Sequence, residues 1–259
     1  MALSKLETTF LSTLASTRRN IFTFKDARAF WGASTRTANA LTRLARKGWI
    51  KRIQRGTYLI VPLEAGPDRA WSESGLIMAP YMVKPAAVAY WSAMHYWNMT
   101  EQISHTTFVQ TTVRKQPLTL FGQDFCFVTV RPARFFGVQD RAADGRRILV
   151  TDREKTLLDA AARPDLCGGI AQLSQALKTV SSSLDWEKLD VYLETWGGGA
   201  VVKRLGYLLE RSALNLPGTE PRLLRWQDML TSGFSLLEPG SQARGPLVTR
   251  WRLRINISV

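Results

Sequence analysis

Arg36, Thr37, Asn39 and Arg43 lie within about two helical turns of one another near the start of the chain. These are side chains that read base edges. A guanidinium forks onto guanine, an Asn amide pairs with adenine, and a Thr methyl meets the thymine methyl. Ser34 and Thr35 open the same segment. Lys47, Lys51, Arg52 and Arg55 follow it at positions suited to phosphates, which orient a protein on DNA and carry no sequence information. The chemistry that this set offers is recognition of double-stranded DNA.

Such residues need a helix narrow enough for the major groove and a frame that presents it. Leu3, Leu6, Phe10, Leu11 and Leu14 recur at helical spacing, which predicts a helix over 3–16. Arg18, Arg19 and Asn20 break it, and Ile21-Phe22 form a short β-like pair. A second helix is expected over 24–31, stopped by Gly32. Ser34 is placed as the N-cap of a third helix over 35–47, with an apolar stripe of Ala38, Leu41, Leu44 and Ala45. Gly48 ends it. A hairpin follows: strand 49–53, turn 54–56, strand 57–61. Two helices, a short turn, a third helix and a basic two-stranded wing form the winged helix-turn-helix order. Residues 1–65 are assigned to this DNA-binding domain, and 63–69, with Gly66-Pro67, to a linker.

Charge follows that unit. The chain of 259 residues carries a formal net charge of +14, and its first 65 residues hold 12 Lys and Arg against Glu7, Asp26 and Glu64. A basic excess confined to a small readable fold is an electrostatic footprint for nucleic acid. The remainder is near the composition of ordinary globular proteins. Cys126 and Cys167 are too few for a disulfide framework, no run of 18 apolar residues exists, and the start lacks a signal-peptide core. A protein of the cytoplasm without membrane contact is expected.

Residues 66–259 are read as a larger mixed α/β domain. Helices are expected from 71–80, over 86–97, 170–180, 186–196 and 201–212, and strands over 107–112, 125–131 and 147–150. Thr151 and Glu154 have capping-box spacing at a helix whose Leu157, Leu158 and Ala161 face the core. Gly206, inside the last helix, predicts close packing against another element. At the end of the chain Trp251, Leu253, Ile255 and Ile257 alternate with Arg250, Arg252, Arg254 and Asn256. One strand would bury the first set and align three arginines on its other face, either to grip an anion or to protect a sheet edge. Gly197-Gly198-Gly199 reads as a connection that can also cradle an anion.

Four segments, in order, resemble AbiEi-type antitoxins, the transcriptional-regulator half of a bacterial abortive-infection toxin–antitoxin system. They are Arg52 to Pro62 in the wing, Tyr90 to Gln102, Val150-Thr151-Asp152-Arg153-Glu154-Lys155-Thr156-Leu157-Leu158-Asp159, and Lys203-Arg204-Leu205-Gly206-Tyr207-Leu208-Leu209-Glu210. Tyr96-Trp97-Asn98 departs from the shorter apolar-Gly turn of the family. The resemblance implies a winged helix that binds inverted repeats upstream of its own operon, and a second domain that neutralises a nucleotidyltransferase-like toxin. Lys203 and Arg204 lie in one of these segments and Arg153 and Lys155 in another. Together with Arg250, Arg252 and Arg254 they form the candidate antitoxin basic patch.

Catalytic patterns are missing. No phosphate-binding G-x-x-x-x-G-K-[ST] or nucleophile-elbow G-x-S-x-G occurs, and no Cys/His cluster has zinc spacing. His95 sits between Trp91 and Met99 at helical spacing and reads as a packed histidine. No catalytic residue, metal or cofactor is assigned. Besides the repressor and antitoxin, a transcription factor with a ligand-sensing second domain stays open, as does a nucleic-acid-processing enzyme that docks through its winged helix.

Overall fold

A computed structural model describes residues 3–17, 19–66, 73–212, 214 and 217–258. Arg18, part of the first helix break, Pro67 to Arg69 of the linker and residues 71–72 of the next expected helix lie outside them.

Helix α1 (Lys5–Ser16) opens on Ser4, whose hydroxyl accepts from the Glu7 amide while the Glu7 carboxylate accepts from the Ser4 amide. Strand β1 (Ile21–Thr23) leads into α2 (Phe24–Trp31), capped the same way by Thr23 and Asp26. Gly32 ends α2 with a positive φ of 81°. Helix α3 (Ser34–Arg46) follows. Its N-cap is Ala33, with no side-chain bond, so Ser34 is the first residue of the helix and not its cap. Strands β2 (Ile50–Gln54) and β3 (Thr57–Ile60) turn at Gly56 and join β1 in a three-stranded antiparallel sheet of order β1-β3-β2. Phe10, Leu14, Phe22, Trp31, Leu41, Leu44 and Ile50 bury one core between the helices and one face of this sheet. The result is a winged helix.

The other face of the same sheet is apolar too. Ile21, Ile53 and Leu59 belong to a second cluster with Ile77, Met78, Met82, Val88, Val109, Phe125 and Val150 of the following region. Ile53 lies three residues beyond Ile50, so strand alternation puts it on the opposite face, just before a register shift between Arg52 and Gln54. The wing is thus packed on both faces.

After a 3-10 turn at Leu63–Ala65, the chain forms α4 (Gly75–Met82), β4 (Ala87–Val88), α5 (Tyr90–Tyr96), β5 (Thr106–Thr111), β6 (Leu118–Leu120), β7 (Gln123–Thr129), β8 (Val138–Ala143) and β9 (Arg146–Thr151). The six strands make one mixed sheet of order β6-β7-β5-β4-β9-β8. The helix expected over 86–97 is therefore divided. Ala87-Val88 pair with β5 and β9 at the sheet centre, and only the residues after Ala89 are helical. Two-residue strands buried on both faces have no period to read.

A helical layer completes the fold: α6 (Arg153–Ala162), α7 (Gly169–Val180), α8 (Trp186–Trp196), α9 (Ala200–Arg211) and α10 (Thr219–Asp228). Its N-terminal member is capped by Asp152, whose carboxylate accepts from the Lys155 amide. The expected Thr151/Glu154 capping box is one residue early, because Thr151 still belongs to β9, paired with Val138. Glu154 instead accepts from the Asp185 amide and the Lys188 ammonium. Last come β10 (Ser235–Leu236), β11 (Leu247–Val248) and β12 (Leu253–Arg254), a small sheet with β12 in its centre. The Trp251 indole lies against Gly206. A methyl group on that glycine would overlap the ring, which is the close packing that the glycine predicted.

Candidate nucleic-acid interface

The third helix buries Thr37, Ala40, Leu41 and Leu44, at helical positions i, i+3, i+4 and i+7. This corrects the expected stripe: Ala38 and Ala45 are exposed. The physical reason is that Thr37 turns inward and its hydroxyl donates to the Ala33 carbonyl at 3.0 Å. Thr37 is fully buried and is removed from the base-reading set.

The opposite face of α3 holds Ser34, Thr35, Arg36, Asn39, Thr42, Arg43 and Arg46, all exposed. No carboxylate on the helix itself competes with this face. Glu7 of α1 accepts from Lys47 at 2.7 Å and from Arg43 Nε at 3.4 Å. Burial pushes the Glu7 carboxyl up, but hydrogen bonds from Lys47 and Ser4 outweigh it and hold it at about 2. Lys47 is only 15% exposed in this pair, so its expected phosphate contact is replaced by a structural one. Arg43 keeps half of its side chain exposed and two of its guanidinium nitrogens outside the pair.

On the wing, Arg52 and Arg55 are exposed. Lys51 points the other way: its ammonium lies 5.1 Å from the Phe121 ring centre, between the wing and the larger region. Sequence reasoning missed that contact. A signal for it exists in the uninterrupted apolar run Leu59-Ile60-Val61, since a strand wetted on one face alternates and one buried on both does not.

The candidate basic patch of the second region is not on one surface. Lys203 is 2% exposed and donates to the Gly233 carbonyl at 2.7 Å; Arg204 is 5% exposed and donates to the carbonyls of Ala161, Leu236 and Leu237. Both tie β10 and its approach to the helices. Lys155 is fully buried in an ion pair with Asp159, and Gln110 donates to Asp159 at 3.1 Å. Burial pushes the Lys155 ammonium down and the Asp159 carboxyl up. The expected arginine-lined strand is also corrected. Arg250 sits in a 3-10 turn paired with Glu210 and Glu220, Arg252 has a positive φ of 49°, and the strand keeps only Leu253-Arg254. Arg252 and Arg254 donate to the carbonyls of Thr231 and Gly245. Arg153 is half-buried and stacked 4.4 Å from the Trp97 ring centre; Arg250 is exposed, and Arg252 and Arg254 are half-buried.

His95 is half-buried on α5. Cys126 and Cys167 are both free thiols. Among the described residues no cluster of three or more His, Cys, Asp or Glu forms a metal site, and no helix is long and apolar enough to cross a membrane.

Two family models match the chain. Residues 10–61 match the model of a transcriptional regulator, AbiEi antitoxin, and residues 109–211 match the model of the AbiEi antitoxin C-terminal domain. The chain belongs to the AbiEi antitoxin family. The first match spans the winged helix from the middle of α1 to the end of the wing. The second runs from β5 through α9 and so includes the buried Lys155–Asp159 pair and the Lys203-Arg204 anchor. A crystal structure of the RV2827C protein from Mycobacterium tuberculosis shares the fold, with a TM-score of 0.66 at 16% identity, over 97% of this chain and 92% of that one. Comparison with curated proteins finds no match. AbiEi proteins are regulators, so the family reading favours DNA binding and antitoxin action over catalysis.

Proposed function

We propose that this AbiEi protein represses its own operon and neutralises the toxin encoded beside it. The winged helix, residues 1–65, binds the operator, and residues 66–259 carry the antitoxin activity. One observation supports the DNA half above all: the outer face of α3 presents Arg36, Asn39 and Arg43 with Ser34 and Thr35, on a core that buries its other side. Arg36 and Arg43 are assigned to guanine and Asn39 to adenine, the pairings that their donor geometry favours. Arg52 and Arg55 meet phosphates.

The antitoxin half is supported by the family match over 109–211. Its partner is a nucleotidyltransferase-like toxin. The surface involved differs from the basic set that the sequence suggested, because Lys155, Lys203 and Arg204 are interior.

Fluorescence anisotropy tests the first half, with a duplex from upstream of the gene against a scrambled duplex. Tighter binding of the upstream duplex, weakening steeply with salt, is expected. Equal affinity for both would remove the repressor reading. Co-expression with the neighbouring gene product tests the second half, and failure of the full chain to restore growth would remove the antitoxin reading.

A further inference from the structure

The wing is a shared wall, and what stands beside it on the other side is also basic. Gln54, at the end of β2, donates through Nε2 to the Tyr81 carbonyl at 2.5 Å. Met82, the next residue, gives its carbonyl to the Lys115 ammonium at 2.9 Å, and that ammonium lies 5.2 Å from the Phe127 ring centre. Two residues beyond Met82 stands Lys84, exposed; next to Lys115 stands Arg114, also exposed. Consecutive Cα atoms are about 3.8 Å apart, so Lys84 begins within roughly 11 Å of Tyr81 and hence close to the wing turn.

Arg52, Arg55, Lys84 and Arg114 are all exposed cations. Among the described residues no ion pair engages Arg52, Arg55, Lys84, Arg114 or Lys115. Nearby carboxylates are occupied: Asp26 accepts from Arg19 and Thr23, Glu73 pairs with Arg146, and Asp124 accepts from Thr119 at the opposite end of β7 from Arg114. The apolar contact of Ile21, Ile53 and Leu59 with Ile77, Met78 and Met82 holds the two sides together.

We infer that the DNA-contacting surface does not end at the winged helix. Lys84 and Arg114, from the α4–β4 connection and the segment after β5, extend the phosphate contacts of Arg52 and Arg55 onto the second region. The inference rests on the DNA-binding reading above. It names phosphate backbone as the ligand, so these residues add affinity and leave base preference unchanged.

The test compares the full chain with a Lys84→Ala, Arg114→Ala double variant, using the upstream and scrambled duplexes over a range of salt. Each lost phosphate contact lowers the slope of log K against log salt by about 0.9, so the double variant should lose about 2, and roughly 10- to 30-fold in affinity for both duplexes near physiological salt. Lys178→Ala on α7, in the separate helical cluster, should change neither. A Lys84→Arg, Arg114→Lys chain keeps the charge and should keep the wild-type slope, which separates lost charge from a damaged fold. An unchanged slope and affinity in the alanine double variant overturns the inference. If the wild type binds both duplexes equally and the double variant still lowers the slope, the operator reading fails and this footprint stands.

Discussion

Two helices of this protein carry adjacent or closely spaced basic residues, and they use them in opposite ways. In α3, Arg36, Arg43 and Arg46 stand on an exposed face among Thr, Ser and Asn. In α9, Lys203 and Arg204 are enclosed, each donating to backbone carbonyls. Their neighbours explain the difference. Arg36 and Arg43 lie opposite a single stripe of Thr37, Ala40, Leu41 and Leu44. Lys203-Arg204 are bracketed by Val201, Val202, Leu205, Leu208 and Leu209, which cover the helix nearly all round and leave it no wet face. A cation in such a helix must find acceptors inside the protein, and here they are backbone carbonyls around β10 and at the end of α6. Lys155 shows the same rule with a carboxylate partner one turn away.

The sharpest way to break this contrast is to strand a buried charge. Asp159→Ala leaves the Lys155 ammonium without its carboxylate and is expected to cost about 3–5 kcal/mol in urea unfolding. A Lys155→Met, Asp159→Leu chain should recover most of that. If Asp159→Ala unfolds like the wild type, the pair is not the interior anchor described here. Next in size is Gly206→Ala. The new methyl meets the Trp251 indole, and roughly 2–3 kcal/mol of stability should be lost with no direct effect on DNA contacts.

Glu7→Gln probes the carboxylate that pairs with Arg43 and Lys47 of the α3 region. Its folded-state pKa, about 2, lies below the ordinary 4.5. The stability it contributes is therefore fully present above about pH 4.5 and is lost as pH falls towards 2. The substitution should cost about 1–2 kcal/mol at pH 7, with the gap to wild type closing across that acid window. A gap that stays constant with pH would mean that Glu7 acts through packing and not through charge. The smallest stability effect is expected for Arg36→Ala, within about 0.5 kcal/mol. The same change should weaken operator binding by about 1–3 kcal/mol at one base position. Lost stability together with unchanged base preference would place Arg36 with the interior arginines instead.

The winged helix was legible because its signals are local. Apolar helical spacing and glycine stops give α1, α2 and α3 within a residue or two, although the cap placed at Ser34 is one residue late, and the turn before Thr57 gives the hairpin. The larger region was legible in its long helices, from α7 to α9, and in β5, β7 and β9. It was not legible where elements are too short for a period: β4, β10 and β12 have two residues each and exist through pairing with distant strands. Site residues failed for a related reason. Whether Thr37 faces a groove or the core turns on a rotation of α3 by one position, and whether Lys203 is wet depends on Gly233 and Ser235, some thirty residues on.

The doubly covered wing also bears on how such a protein can be recombined. A winged helix whose wing has a free outer face can be moved from one protein to another as a cassette. Here Ile21, Ile53 and Leu59 form half of an interior whose other half is Ile77, Met78 and Met82. Transplanting the first 65 residues would leave those side chains bare, next to the unpaired edge of β2, and invite association through that edge. The winged helix and the domain behind it share one interior, so exchange of either half must carry the matching half of the wall.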